Sequence, residues 1–250
     1  MAELTAAATV RAADRLVHDM GSTWMISPET AARSAEYGYA KPLAFYFAGR
    51  GGVLGDVDAD VVYAAMGWFE PHLVRAMWEE GQPVHGSREA AKLYGQACAA
   101  WGDDHFADFA GATRMQQLGD RVIAAAEGSG LPLFAGWRAE PRAKDGPGRL
   151  MQVIHTLREL RGGLHLSATT AAGLSPLEAI LTNEGPGQAT FFGWQDEFPD
   201  CDELKPRHDV AEGATNDLCA AVYERALSPA ERGEFAELTV QGAALLPPLG

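Results

Sequence analysis

Helix starts and stops recur along the whole chain, with almost nothing strand-like between them, and this limits the fold more than any other feature. Ser27-Pro28-Glu29, Pro42, Asp58, Pro71, Ser87, Ser175-Pro176-Leu177-Glu178 and Ser228-Pro229-Ala230-Glu231 each place a capping residue or a first-turn proline before an apolar segment. The last two fit a capping box. Gly21, Gly51-Gly52, Gly81 and Gly128 stand where such segments should end. Runs of Val, Ile and Thr are nearly absent. The expected fold is mainly α, a multi-helix bundle of about ten helices with a degenerate helix-turn-helix-like C-terminal part. Helices are expected over 3–20, 42–50, 58–68, 71–81, 87–101, 104–127, 131–138, 209–227 and 229–240. Residues 140–148 read as a loop. Residues 183–206, rich in Gly, Pro and Asp, read as irregular, with room for a two-stranded element at most. Two arrangements fit: parts 1–145 and 146–250, or one continuous domain.

The segment Leu150–His165 carries the clearest functional signal. At about 100° per residue, Leu150, Val153, Ile154, Leu157, Leu160 and Leu164 fill an arc of roughly 120°. Arg158, Arg161 and His165 fall within about 60° of one another at the border of that arc, with His155 beyond Arg158. Charged groups normally sit opposite the buried stripe. Two guanidiniums and an imidazole beside a greasy wall suit a carboxylate or phosphate on an amphipathic ligand. The other reading pairs both arginines with acids of neighbouring helices. Gly162-Gly163 either kinks this helix or splits it.

His155 and His165 lie about 15 Å apart along one unbroken helix, too far to share a metal ion. A metal or haem site would need further ligands supplied by the fold, such as His72 or His105. None is assigned from spacing, and no cofactor can be named. Tyr46, Arg50 and Trp68 are further candidates. Phe45-Tyr46-Phe47-Ala48-Gly49-Arg50-Gly51-Gly52 has neither GxxxxGK[ST] nor GxGxxG spacing, so Arg50 either caps a helix or faces a ligand. The aromatics line either the core or a pocket. No Ser-His-Asp pattern and no GxSxG occurs, so an enzyme reading rests on His155 or His165 alone.

The formal net charge is −14, from 34 acidic and 20 basic residues, and no basic run of five exists. This balance disfavours nucleic acid as a partner. Three cysteines without CxxC spacing suit free thiols and a cytoplasmic setting. The first residues lack a signal-peptide pattern, and no apolar run reaches the length of a membrane span.

Phe134-Ala135-Gly136-Trp137-Arg138, Leu157 to His165 (Leu-Arg-Glu-Leu-Arg-Gly-Gly-Leu-His) and Ala172-Gly173-Leu174 resemble an actinobacterial helix-turn-helix-like family. Phe47-Ala48-Gly49-Arg50 with Trp68-Phe69-Glu70-Pro71 does so as well. The resemblance covers roughly residues 40–240. It implies a helical fold whose C-terminal half is similar to winged-helix regulators of the MarR type. Gly193-Trp194 fits that pattern, but no Gly-Leu-Leu wing follows. Asp196, Glu197, Asp200, Asp202 and Glu203 stand there instead. The leading expectation is a protein that binds a small amphipathic or anionic molecule through Arg158, Arg161 and His165, a sensor on a regulator-like scaffold. The alternatives are a helix-turn-helix transcription regulator, compatible with a homodimer, and a metal, haem or catalytic protein.

Overall fold

A computed structural model describes residues 3–195 and 197–246. Met1, Ala2, Asp196 and residues 247–250 lie outside the described residues. The described residues form thirteen α-helices and three short 3-10 turns, with no strand among them. The helices are α1 (Ala6–Thr23), α2 (Pro28–Glu36), α3 (Pro42–Gly51), α4 (Ala59–Met66), α5 (Pro71–His85), α6 (Ser87–His105), α7 (Ala112–Ala125), α8 (Pro132–Ala139), α9 (Gly146–Ala171), α10 (Pro176–Asn183), α11 (Pro186–Phe191), α12 (Lys205–Ala226) and α13 (Pro229–Ala243). The stretch 183–206 therefore holds α11 and a 3-10 turn at Asp202–Leu204, and no hairpin.

The caps behave as their chemistry requires. Ser175 with Glu178, and Ser228 with Glu231, form complete capping boxes. The Ser27 hydroxyl accepts from the Thr30 amide at 3.1 Å. Asp58 precedes α4 but makes no side-chain cap bond. Pro83 lies inside α5, which runs past Gly81 to His85.

α9 is the axis of the molecule. α1, α6, α7, α8 and α12 all pack against it. Met151, Gln152, His155, Thr156 and Glu159 are buried along with Leu150, Val153, Ile154, Leu157 and Leu160 of the expected apolar stripe, and Leu164 is half-buried. From Leu150 to Leu160 the helix exposes no residue, so the one-sided reading of that stretch does not hold, while Ser167, Thr170 and Ala171 in its last turns are exposed. The helix also continues unbroken through Gly162-Gly163, because Gly163 gives room to the Leu131 side chain of the segment leading into α8. Gln152 fastens the loop before α9: its Oε1 accepts from the Ala143 amide and its Nε2 donates to the Gly95 carbonyl, both at 2.8 Å.

α3 packs between α5 and α6. The approach is closest at Gly52, where a Cβ would overlap the Ser87 carbonyl oxygen at the start of α6. Backbone oxygen cannot swing aside as a side chain can. Gly52→Ala should therefore cost about 1–3 kcal/mol or more of stability. Urea unfolding of the purified variant measures this. A variant as stable as the parent would show that the two segments separate freely.

Candidate functional site

A cavity of about 710 Å³ opens along one flank of α9, within the size range of small-molecule pockets. Met25, Leu43, Met66, Phe69, Leu133 and Ile180 supply much of its apolar wall, and α10 and α11 close one side through Asn183, Gln188, Phe191 and Phe192. Arg158, Arg161, His165, Arg50, Tyr46 and Trp68 all line it. His155 does not. It points to the other side of α9, among Trp24, Tyr94 and Trp137, with ring centroids 5.4, 6.2 and 4.6 Å away. Neither of its ring nitrogens has a hydrogen-bond partner among the described residues. Burial holds its pKa down to about 3, against the pull of Glu159. A sealed neutral imidazole with no hydrogen-bond partner among the described residues is packing, not acid–base equipment.

The cavity floor is an ion cluster. Arg50 from α3 grips Glu159 from α9 through two parallel bonds, Nε to Oε1 at 2.8 Å and Nη2 to Oε2 at 2.9 Å. Arg50 Nη1 also donates to the Tyr46 hydroxyl at 2.6 Å. Arg158 Nη1 reaches the same carboxylate at 3.0 Å, and its Nε donates to Ser22 Oγ at 2.9 Å. Burial alone would raise Glu159, but Arg50 and Arg158 hold it down to about 2. Burial likewise opposes the charge on Arg50, and Glu159 more than offsets it. Two guanidiniums share one carboxylate here, so the floor keeps a surplus of positive charge.

Arg161 belongs to a second cluster with the opposite balance. It donates to Asp14 Oδ2 at 3.3 Å, Asn216 Oδ1 at 3.1 Å and Glu212 Oε2 at 3.1 Å. The Tyr223 hydroxyl donates to the other Asp14 oxygen at 2.8 Å. Burial raises the Asp14 pKa against the pull of Arg161. His165 sits beside this group, stacked on Trp68 at 5.3 Å and 27°. Burial pushes its pKa down to about 4, with Glu212 opposing. Both arginines thus hold acids of the protein itself, and each also faces the cavity. Sequence reasoning missed Glu159, Asp14, His208 and Glu212. The last two offered a faint signal, the spacing of four that puts them on one helix face.

The chain matches the helix-turn-helix family over residues 10–246. It belongs to that family. No curated protein and no solved structure matches the chain. Membership of the helix-turn-helix family overturns the expectation that nucleic acid is disfavoured as a partner, because the DNA-binding form of that motif sets its second helix in the major groove. That expectation rested on the net charge of −14, the lack of a basic run and the acids after Trp194, none of which identifies the face a helix-turn-helix presents. No helix among the described residues is long and apolar enough to cross a membrane. Cys98, Cys201 and Cys219 are free and buried.

Two outcomes follow from the floor geometry. Glu159→Gln leaves Arg50 buried without its counter-charge and should cost about 3–5 kcal/mol, whereas Arg50→Met with Glu159→Leu should cost much less. Chemical denaturation of both variants checks this, and equal losses would contradict it. The second concerns acid. Folded His155 stays neutral until about pH 3, while the unfolded imidazole takes a proton near 6.5. Protons therefore favour the unfolded chain, and the stability present above pH 6.5 drains away as pH falls from there towards 3. His155→Leu should remove about 2 kcal/mol of that loss at pH 5. Unfolding curves at pH 7.5 and 5 measure the difference, and an unchanged gap between them would refute the assignment.

Proposed function

We propose that this protein is a helix-turn-helix regulator that binds duplex DNA and alters that binding when a small amphipathic or anionic molecule fills the cavity. The family match over residues 10–246 carries the DNA half of this reading. The likeness of the C-terminal half to winged-helix regulators of the MarR type is a further part of the proposal.

α10 and α11 are the helix pair that best fits the motif. Only Glu184 and Gly185 join them, and Gly185 takes φ +82°, a conformation other residues rarely adopt. α11 (Pro-Gly-Gln-Ala-Thr-Phe) carries no acid. Arg207, exposed on α12, lies beside the turn between α9 and α10, with Nη1 within 3.8 Å of where a Gly173 Cβ would stand.

The same pair walls the cavity, which supports the ligand half. Asn183 of α10 and Gln188 and Phe191 of α11 line it, and Phe191 is 60% exposed at its edge. A molecule with an apolar body would cover Phe191. Its anionic end would meet the positive floor at Arg158 and Arg50. Filling the cavity then bears directly on the position of α11.

The test is selection of duplexes from a random or genomic pool, followed by fluorescence anisotropy at about 150 mM salt, where non-specific binding is typically weaker than micromolar. Thr190→Glu puts a negative charge on the exposed face of α11 and should weaken binding about tenfold or more, the scale of one lost contact. Val240→Glu, equally exposed on α13, should leave it unchanged. A pool that yields no retained duplex, or equal effects of the two substitutions, sinks the reading.

A further inference from the structure

The end of the cavity around Arg161 holds donors that a purely electrostatic ligand seat leaves unused. His208 and Glu212 stand four residues apart on α12 and project from one face. His165 meets them from α9. One donor atom from each of the three lies within 4.8 Å of the others. The two imidazole rings face each other edge-on, with centroids 6.3 Å apart and planes at 78°. All three residues line the cavity, so the cluster is open on one side.

The surroundings orient the histidine on α9. The buried Thr215 hydroxyl donates to the Ala211 carbonyl at 2.7 Å, so towards His165 Nδ1, 3.1 Å away, it offers only a lone pair. That places the ring proton on Nδ1 and leaves the Nε2 lone pair free. A metal-bound histidine is typically held by such an outer hydrogen bond. Trp68, stacked on the ring, fixes its plane. Arg161 occupies Glu212 Oε2 and leaves Oε1, which lies 3.7 Å from the protonated Nδ1 side of His165 and is a second acceptor facing that nitrogen. The charge balance also accepts a cation. Arg161 faces Asp14 and Glu212 together, and even a protonated Asp14 leaves this end neutral and not positive.

We propose that His165, His208 and Glu212 bind a divalent transition metal of the zinc type, with one coordination position open to the cavity. Two imidazoles and a carboxylate suit zinc, cobalt or nickel, and disfavour calcium and magnesium, which prefer oxygen alone. Three protein ligands around zinc leave a fourth position for water or for an anionic oxygen of whatever enters the cavity. The sequence lacked this site because two of its ligands lie more than forty residues from the third. The site does not depend on DNA binding, and each can be tested without the other.

The experiment uses the full chain, stripped with a chelator and titrated with Zn²⁺ by calorimetry and with Co²⁺ by visible absorption. One equivalent should bind, with Co²⁺ giving the intense bands of a four- or five-coordinate site. Loss of an outer hydrogen bond typically weakens a metal about 10–100-fold, so His208→Gln and Glu212→Gln, which remove direct ligands, should cost about 100-fold or more. Thr215→Val, similar in volume, should fall within that 10–100-fold range. His72→Gln, exposed on α5, should change nothing. Melting curves of each metal-free variant confirm that it is folded. Failure of the wild type to take up Zn²⁺ at tens of micromolar overturns the proposal, as does affinity that survives both His208→Gln and Glu212→Gln. Duplex binding by the same metal-free protein reports separately on the regulator reading.

Discussion

Glu159 is a carboxylate in the enclosed central stretch of α9, where no residue from Leu150 to Leu160 is exposed, and much of the structure answers to that placement. An ionised carboxylate in the interior is tolerated only when it is paired and hydrogen-bonded. Arg50 meets the requirement from α3 with a bidentate grip, and Arg158 adds a third bond. The pair need not raise net stability, since burying two charges costs about what their attraction returns. Its effect is to fix position. α3 must present Arg50 at one height on α9, and Tyr46, one turn earlier, caps the guanidinium that Glu159 does not fill. An apolar contact would tolerate sliding, whereas a two-bond fork does not.

The same cluster shapes the cavity. Arg50, Tyr46, Arg158 and Glu159 line the cavity on that flank of α9, and α10 and α11 cover it from the side. They are joined to the rest by few polar links. Phe192 accepts from the Glu70 amide at 2.9 Å, and the Trp194 indole donates to the Trp68 carbonyl at 2.9 Å. Gly193, at φ +89°, fits against Leu73 where a side chain would collide. These three contacts fall within three residues just after α11 and all meet the segment 68–73. They anchor α11 just past its end, while along the helix Ala189 is buried and Thr190 and Phe191 are exposed.

The helical class and most helix starts were legible, because capping boxes and first-turn prolines act over three or four residues and need no tertiary partner. Ser175 with Glu178 and Ser228 with Glu231 are bonded as their spacing implies. Burial was less legible. A helical wheel assumes one dry side and one wet side, so it put Glu159, about 180° from Leu150, in water. In the fold α9 is enclosed, and that residue becomes the most constrained acid of the cavity. Arg158, Arg161 and His165 were visible as misplaced polar groups beside an apolar stripe. Their partners Asp14, His208 and Glu212 were not, since each sits on another helix among similar polar residues. His155 looked like a member of the same group only because angular proximity on a wheel ignores which neighbour fills each side.

The contrast between the two ends of the cavity gives the ligand reading its physical content. At the floor Arg50 and Arg158 outweigh Glu159, and at the other end Asp14 and Glu212 balance or outweigh Arg161. A molecule that spans the cavity therefore meets opposite potentials along its length, separated by an aromatic and aliphatic wall. Such a field selects orientation as well as charge. An inverted ligand would place its anion beside the Glu212 carboxylate. Coupling to DNA needs only that the correctly oriented ligand prefer one position of α11 over another. Differences of about 1–3 kcal/mol are typical of such coupling. α11 is a six-residue helix, packed on α10 and tied to the segment 68–73 just after its end, so such energies compare with the few contacts that hold it. A long helix packed against α1, α6, α7, α8 and α12, as α9 is, would not respond to them.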